Sequence, residues 1–396
     1  MSTQLGLGFS QQPSTAQAAR EAALEAKSQL SSYPIDFVIV FATAHYGPLE
    51  TLRSIRQALG EPKTIGCTTS VVITGDKIAT QGIGILVIQS SDIKISLGSV
   101  SDVTSAYLKS AGSQLARLTM KEFKETRRNA LLVFCDEFQY DHIHILAGIQ
   151  EIFGKAFPIT GAISNSSLMS LKETYQFYQD KPLTHALSAA LIGGNCQIGL
   201  SHRHGFKPIG RPRFATKVQG ATIKSIDHKR ASFLYEEYFE LTLDDLHKKT
   251  HSPILNLYPL GIRMDDDREY LLRKVNHILG DGSLVCQGDV PEGSEIHLMM
   301  TNKDFLKQSA MNAAFEIKDS FRGRAPKFIL VMASLFRYEF LGKDFVKEIR
   351  AIRDILGNDI PLIGMCSSGE IAPLTSKELF GQAVLNNGTF SIMAVG

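Results

Sequence analysis

A threefold repeat constrains the fold of this chain more than any other feature of its sequence. Three apolar, β-branched-rich segments are each followed by an amphipathic helix pattern and by a second short strand, which we predict to end at a glycine; the segments are "FVIVFAT", "LLVFCDE" and "FILVMAS". The isoleucine of the second strand comes 28 residues after the start of the first in two copies, and 35 in the third. Spacing this regular is typical of a duplicated structural unit. We therefore predict three similar strand–helix–strand units, at 37–67, 131–161 and 328–364.

The repeat extends on both sides of these units. Another apolar strand follows each unit, as in "GIGILVIQ", and a strand with a long helix pattern precedes the second and third, as "DIKISLGSV" and "EIHLMMTN". The middle of the chain, including "ILNLYPLGI", has strand patterns without intervening helices. This mixture predicts an α+β (mixed α/β) fold, in which mixed sheets carry helices on their outer faces and form two pseudo-symmetric halves.

Composition excludes several classes of function. With 42 basic and 40 acidic residues, the net charge of +2 gives no attraction to nucleic acid or to an anionic membrane. No window reaches the ~18 apolar residues of a membrane span, and the start does not resemble a signal peptide. The five cysteines form no CxxC pair, which favours a reducing compartment, so we expect a cytoplasmic protein. Phosphate-loop, GxSxG and HExxH motifs are missing from the sequence, and we predict no enzymatic activity.

The stretch "PLIGMCSSGEIAP" (361–373) is the first candidate binding site. Small polar residues follow its strand, and Glu370 adds a negative charge, so we predict that Cys366, Ser367, Ser368 and Glu370 contact a ligand. The corresponding stretch of the second copy supplies Ser164 and Asn165. The alternative is a strand-to-turn junction whose hydroxyls bond their own backbone.

Arg337 follows a repeat strand, where the ends of neighbouring strands meet. Its guanidinium suits a carboxylate ligand, and the alternative is a surface salt bridge with Glu339 or Asp344. An enzyme that uses Cys366 with Arg337 and Glu370 is a rival hypothesis, but no histidine is evident as its base, and a small buried cysteine is the simpler interpretation.

Several further motifs occur in the order typical of one known family, among them "GCTTSVVITGDKI", "GLSHRHGFKPIG", "ASLFRYEFLG" and "LNNGT". Together they make the chain similar to the FIST sensory proteins along almost its whole length. The resemblance implies residues 1–32 as an N-terminal strand and helix, 33–222 as a FIST N-type domain and 223–396 as a FIST C-type domain. The chain departs from the family pattern at three positions, which hold Asp76, Asn165 and Asn386.

The resemblance also implies a function. FIST proteins are ligand sensors, so a small-ligand sensor that signals through a separate histidine kinase or cyclase is expected. Some stand-alone members bind haem b and sense nitric oxide, for which His204 is the candidate axial ligand, since a haem needs one neutral imidazole. A hydrogen-bonded strand histidine is the alternative for His204. For the whole protein, the alternatives are a sensor of an amino-acid-like metabolite without haem and a ligand-free scaffold.

Overall fold

The fold is mixed α/β, as predicted. The computed structural model describes residues 3–31, 34–137, 142–166, 173–248, 250–264, 270–374 and 380–396. Each predicted unit contains two parallel strands joined by a helical connection, which confirms the strand–helix–strand prediction.

The first two copies have the same order of elements. Copy 1 consists of β1 (Gln4–Ser10), α1 (Thr15–Lys27), β2 (Phe37–Thr43), α2 (Pro48–Leu59), β3 (Lys63–Thr69), β4 (Val72–Thr74), β5 (Lys77–Ala79) and β6 (Ile83–Gln89). Copy 2 consists of β7 (Ile93–Val100), α3 (Leu108–Lys121), β8 (Arg128–Cys135), α4 (His142–Phe153), β9 (Ile159–Ile163), β10 (Gln176–Tyr178), β11 (Lys181–Leu183) and β12 (Leu187–Gly194).

The third copy repeats this order but is interrupted after its first strand. It consists of β13 (Ile198–Arg203), α8 (Lys303–Ser320), β22 (Phe328–Ser334), α9 (Leu335–Leu341), α10 (Phe345–Leu356), β23 (Leu362–Ser367), β24 (Gly369–Pro373), β25 (Ala383–Asn386) and β26 (Phe390–Val395). The interruption holds β14 (Lys207–Gln219), β15 (Thr222–Ile226), β16 (Lys229–Arg230), α5 (Phe233–Phe239), α6 (Leu243–Leu246), α7 (Ser252–Leu257), β17 (Leu260–Arg263), β18 (Tyr270–Arg273), β19 (Val275–Ile278), β20 (Leu284–Cys286) and β21 (Glu295–Met300).

The three copies exchange hairpins in a cycle. Each copy builds four strands of a six-stranded sheet, and the remaining two strands come from another copy. The hairpin β4–β5 of copy 1 joins the sheet of copy 3, β10–β11 of copy 2 joins the sheet of copy 1, and β24–β25 of copy 3 joins the sheet of copy 2. The exchange gives the three sheets a pseudo-threefold arrangement. None of the copies completes its own sheet, so their stabilities are coupled.

One apolar core fills the space between the inner faces of the three sheets. Equivalent positions of the central strands β2, β8 and β22 supply Phe41, Phe134 and Met332, and the rings of Phe41 and Phe134 lie 5.6 Å apart in an edge contact. The outer face of each sheet packs against helices of its own copy, α1–α2, α3–α4 and α8–α10. The centre is therefore closely packed and leaves the strand ends as the place for a site.

The glycine repeated in each unit serves strand packing. A Cβ on Gly66, Gly161 or Gly364 would lie within 1.8, 2.0 or 2.5 Å of a carbonyl oxygen on the adjacent parallel strand. We had predicted that the second strands end at these glycines, and this was wrong: β3, β9 and β23 each continue beyond the glycine. The glycines are needed because the paired strands approach closely.

The inserted segment (β14–β21) forms a separate eight-stranded sheet, the inserted sheet. Two predictions about it were wrong. The middle of the chain does contain helices: "ILNLYPLGI" splits into α7 and β17, because Pro253 at the start of α7 is compatible with a first helical turn and Pro259 is not compatible with its continuation. The strand "EIHLMMTN" is β21 of the inserted sheet, and β13 takes its expected place in the sheet of copy 3.

Candidate functional site

A ring of polar side chains closes the core at the carboxyl ends of the central strands. Because side chains alternate along a strand, the next inward-facing residue lies two positions beyond the apolar layer, and each copy supplies two such residues. All six are buried; they are Thr43, Thr69, Asp136, Ser164, Ser334 and Ser367. Two of the hydroxyls make equivalent bonds in different copies, Ser164 Oγ to Cys135 O (2.9 Å) and Ser367 Oγ to Ala333 O (3.2 Å). The recurring small polar residues therefore form one layer around the pseudo-threefold axis.

Asn165 ties the copies together next to this layer. Its Oδ1 accepts a hydrogen bond from Ser70 N (2.8 Å) in copy 1, and its Nδ2 donates to Cys366 O (2.6 Å) in copy 3. The amide, which can accept and donate at once, fits these two partners, whereas an ionised aspartate could not donate to a carbonyl.

We expect Asn165→Ala to lower the free energy of unfolding by about 2–4 kcal/mol, because two buried backbone groups lose their partners. Urea denaturation of the variant measures the change. Asn195→Ala, at an exposed position whose side chain has no hydrogen-bond partner among the described residues, is the control and should be close to wild type. Equal unfolding midpoints for the two variants would show that Asn165 does not join the copies.

A cavity of about 640 Å³ lies beside the polar layer, between copies 2 and 3 and the inserted sheet. Copy 2 contributes Glu137. Copy 3 contributes three serines and the ring of Phe336, and the inserted sheet contributes Lys274 and amide side chains. The polar lining residues are Glu137, His142, Asn256, Lys274, Asn276, Gln287, Ser334, Glu339, Ser367, Ser368 and Asn387. Phe206, Leu272 and Phe336 provide apolar surface, and the volume suits a small metabolite.

Glu137 is held in a fixed position in the cavity wall. Its carboxylate accepts hydrogen bonds from Ser368 Oγ and from Ser166 N (3.3 Å). Burial raises the pKa of this carboxyl, while the hydrogen bond from Ser368, the one from Ser166 and the charge of Lys274 lower it. Glu137 is thus an oriented acceptor for a ligand donor or cation.

Two opposite charges of the cavity lack direct partners. Lys274, on the inserted sheet, and Glu339, on α9, are both exposed, and within the described parts of the chain neither side chain has a hydrogen bond or an ion pair. Desolvation raises the pKa of the Glu339 carboxyl, and the charge of Lys274 lowers it.

Among the residues predicted from sequence, Ser367 and Ser368 line this cavity. Ser164, Asn165, Cys366 and Glu370 are fully buried in and below the polar layer. Burial raises the pKa of the Cys366 thiol well above its ordinary value, and the charge of Glu370 adds to the shift. A thiol kept protonated in this way gives no support to the rival hypothesis of a cysteine nucleophile.

Arg337 lies inside the protein, so the alternative of a surface salt bridge with Glu339 or Asp344 is wrong. The side chain is 0% exposed and pairs with the equally buried Glu348, with Nη2 to Oε1 at 2.6 Å and Nε to Oε2 at 3.2 Å. The remaining N–H groups donate to Ser309 Oγ and to carbonyl oxygens of residues 204, 306 and 388. These contacts occupy all the donors of the guanidinium, so none is left for the cavity.

Glu370 joins three strands of two sheets. It lies on β24, its Oε1 accepts from Ser367 Oγ (2.5 Å) at the end of β23, and its Oε2 accepts from Thr389 N (3.1 Å) and Oγ1 (2.6 Å) before β26. Burial raises the pKa of this carboxyl to about 7, and the hydrogen bonds oppose the shift.

His204 does not provide a free nitrogen for iron. Its Nδ1 accepts a hydrogen bond from Phe206 N (2.9 Å), and a further hydrogen bond links the ring to the Tyr270 backbone. Burial lowers the pKa of the imidazole to about 3, so it is neutral, but both ring nitrogens are engaged and the residue is not part of the cavity lining. The residues around His204 therefore do not fit an axial haem ligand, and no cluster of three metal-ligating side chains occurs within the described ranges.

Sequence reasoning missed Glu137, Lys274 and Glu339. The repeat carried a signal for Glu137, because this residue comes just after the repeated strand β8, as its partner Ser368 comes just after β23. For Lys274 there was no such signal, since it reaches the cavity only through the docking of the inserted sheet.

Comparison with family models identifies two matching regions of the chain. The FIST N domain matches residues 36–229 and the FIST C domain matches residues 231–373. This chain belongs to the FIST family. FIST domains are in general small-ligand-sensing domains of signalling proteins. The two matched regions meet inside the inserted sheet, near β16, whereas the predicted domain boundary at 222/223 falls at the start of β15.

Other comparisons with this FIST protein are distant. No curated protein sequence matches it significantly. A cyanuric acid hydrolase from A. caulinodans overlaps all of the chain and 99% of its own length, at 8% identity and a TM-score of 0.42. A second cyanuric acid hydrolase gives 7% identity and a TM-score of 0.35 over all of both chains. PurLQS from Thermotoga maritima gives 9% identity and a TM-score of 0.25, over all of this chain and 72% of its own. Nothing about the chemistry of this FIST protein follows from such loose overlaps. No described helix is both long and apolar enough to cross a membrane.

Proposed function

We propose that this FIST protein is a sensor whose small-molecule ligand binds in the cavity between copies 2 and 3 and the inserted sheet. The position of the cavity carries the proposal. Three hydrogen bonds link the inserted sheet to copy 3 around it: Lys274 N to Asn387 Oδ1 (3.1 Å), Arg273 Nη1 to Leu385 O (3.1 Å) and Gln287 Nε2 to Ser368 O (2.9 Å). Because five of these six residues also line the cavity, a ligand would contact the joint itself.

Such a ligand would change the relative free energy of different positions of the inserted sheet, which is the requirement for a sensor. The output passes through a separate protein, a histidine kinase or a cyclase, that recognises one of these positions. Mixing the pure protein with a candidate kinase and measuring autophosphorylation with and without ligand tests this part.

Two more specific forms of this proposal differ in the ligand. An amino-acid-like metabolite is supported by the paired presence of unpartnered Lys274 and Glu339, which complement a carboxylate and an amine. Haem-based nitric oxide sensing would need a ligand other than His204, because both of that ring's nitrogens are occupied. An absorption spectrum of the purified protein near 400 nm distinguishes them, since a strong band there indicates haem.

We expect Glu137→Gln to weaken binding of a cationic ligand group at least tenfold, because the variant loses the oriented negative charge of the cavity wall. The measurement is a thermal-shift screen of small metabolites on the wild type, followed by calorimetric titration of any hit on both proteins. Glu125→Gln, which removes an exposed carboxylate outside the cavity, is the matched control. If a hit binds both variants as it binds the wild type, its site is elsewhere.

A further inference from the structure

We propose that Lys274 and Glu339 form a latch, which closes the inserted sheet over the cavity when the two side chains pair. The inference rests on the proposed ligand cavity and names the movement that regulates it: the two side chains pair only when the cavity is closed and empty, and a ligand that binds to them keeps it open. Three features carry it. They are two adjacent chain connections that can act as a hinge, two charges without partners among the described residues, one on the inserted sheet and one on copy 3, and a joint with few hydrogen bonds between described residues.

The hinge is where the inserted sheet joins the repeats. The chain enters the insertion at Gly205 and leaves it at Thr301, and Thr301 Oγ1 donates to Gly205 O at 2.8 Å, so both connections lie side by side. Gly205 has a φ of +75°, a conformation that other residues adopt rarely. Two adjacent connections on one side of a sheet allow it to rotate as a body about that side.

The two charges belong to the cavity lining, one on each side of the joint. Lys274 is in the turn between β18 and β19 of the inserted sheet, and Glu339 is on α9 of copy 3. Glu137, the other carboxylate of the cavity, already accepts hydrogen bonds from Ser368 and Ser166, so Glu339 is the acid left to receive the ammonium. A small rotation of the inserted sheet about the hinge would bring Lys274 and Glu339 into contact.

Disulfide trapping tests the latch without any ligand. Lys274→Cys and Glu339→Cys are combined on a Cys286→Ala background, because Cys286 also lines the cavity. Under mild oxidation we expect this pair to cross-link at least about tenfold faster than a Lys217→Cys/Glu339→Cys pair, since a disulfide needs Cα atoms about 4.4–6.8 Å apart. Lys217 is exposed on the same sheet and is not part of the cavity lining. Equal rates for the two pairs would overturn the latch.

Charge exchange provides a second readout that does not depend on cysteine chemistry. Lys274→Glu should speed hydrogen exchange of the residue-274 amide, which donates to Asn387, by about fivefold, as expected for loss of an exposed ion pair. Adding Glu339→Lys to it should restore wild-type exchange, and failure to restore it would overturn the proposal. Neither experiment uses a ligand. Failure of the latch prediction therefore does not contradict the proposed binding site, and failure of the ligand search does not contradict the latch.

Discussion

Arg337→Ala is expected to lower the free energy of unfolding by about 3–5 kcal/mol. The substitution leaves the carboxylate of Glu348 buried, at 1% exposure, with its cationic partner gone. It also removes the donors that bond three backbone carbonyls from the start of the insertion, from α8 and from the loop before β26. The contacts are buried on all sides, so little water can replace them. The denaturation midpoint in urea is the measurement.

Two controls separate the buried charge from the loss of packing. Replacing both partners, Arg337→Met with Glu348→Leu, removes the uncompensated charge and should recover a large part of the loss. Lys303→Ala breaks an exposed ion pair with Asp344 (2.8 Å) and should cost at most about 1 kcal/mol. An Arg337→Ala protein as stable as the Lys303→Ala protein would contradict the buried-pair argument.

Glu370→Gln should remove a pH dependence of stability that the wild-type protein has between about pH 4.5 and 7. The pKa of this carboxyl is 4.5 in an ordinary setting and about 7 in the folded protein, because burial disfavours the charged form. Between these values the folded protein holds a proton that the unfolded chain has lost. The free energy of unfolding of the wild type therefore falls as the pH rises through this interval, and the fall ends above the folded pKa.

The size of this effect is on the order of 3 kcal/mol, from ~1.4 kcal/mol per unit of pKa. A glutamine at position 370 can accept a hydrogen bond from Thr389 through its oxygen and donate one to Ser367 Oγ through its nitrogen. Both hydrogen bonds therefore form without any change in the protonation of residue 370. Relative to the wild type, the variant should become more stable as the pH goes from 5 to 8. Thermal unfolding at both pH values is the measurement, and Glu50→Gln, on an exposed position of α2, should follow the wild-type curve. Parallel curves for Glu370→Gln and wild type would exclude Glu370 as the titrating group.

The sequence alone determined the repeat, the fold class and the family. These depend on local patterns: apolar, β-branched-rich segments such as "FVIVFAT" and "FILVMAS" recur, and each is followed, after a helix pattern, by glycine and small polar residues, as at Gly66 and Gly364. Strand alternation and spacing fix which of these side chains face the core, and neighbours in sequence carry that information.

Other features needed the tertiary structure. The exchange of hairpins, the role of Asn165 between copies 1 and 3, and the meeting of Glu137 with Lys274 all join residues more than 90 positions apart. Arg337 shows the reason most clearly. In the sequence it is an arginine after a strand, as suitable for a ligand as for a surface salt bridge. Only the tertiary packing brings Glu348 of α10, a carbonyl of α8 and the carbonyls of residues 204 and 388 around it, and burial makes the same guanidinium part of the core. The charge and hydrogen-bonding capacity of a side chain are set by its identity, whereas its solvation and its partners depend on which distant segments cover it.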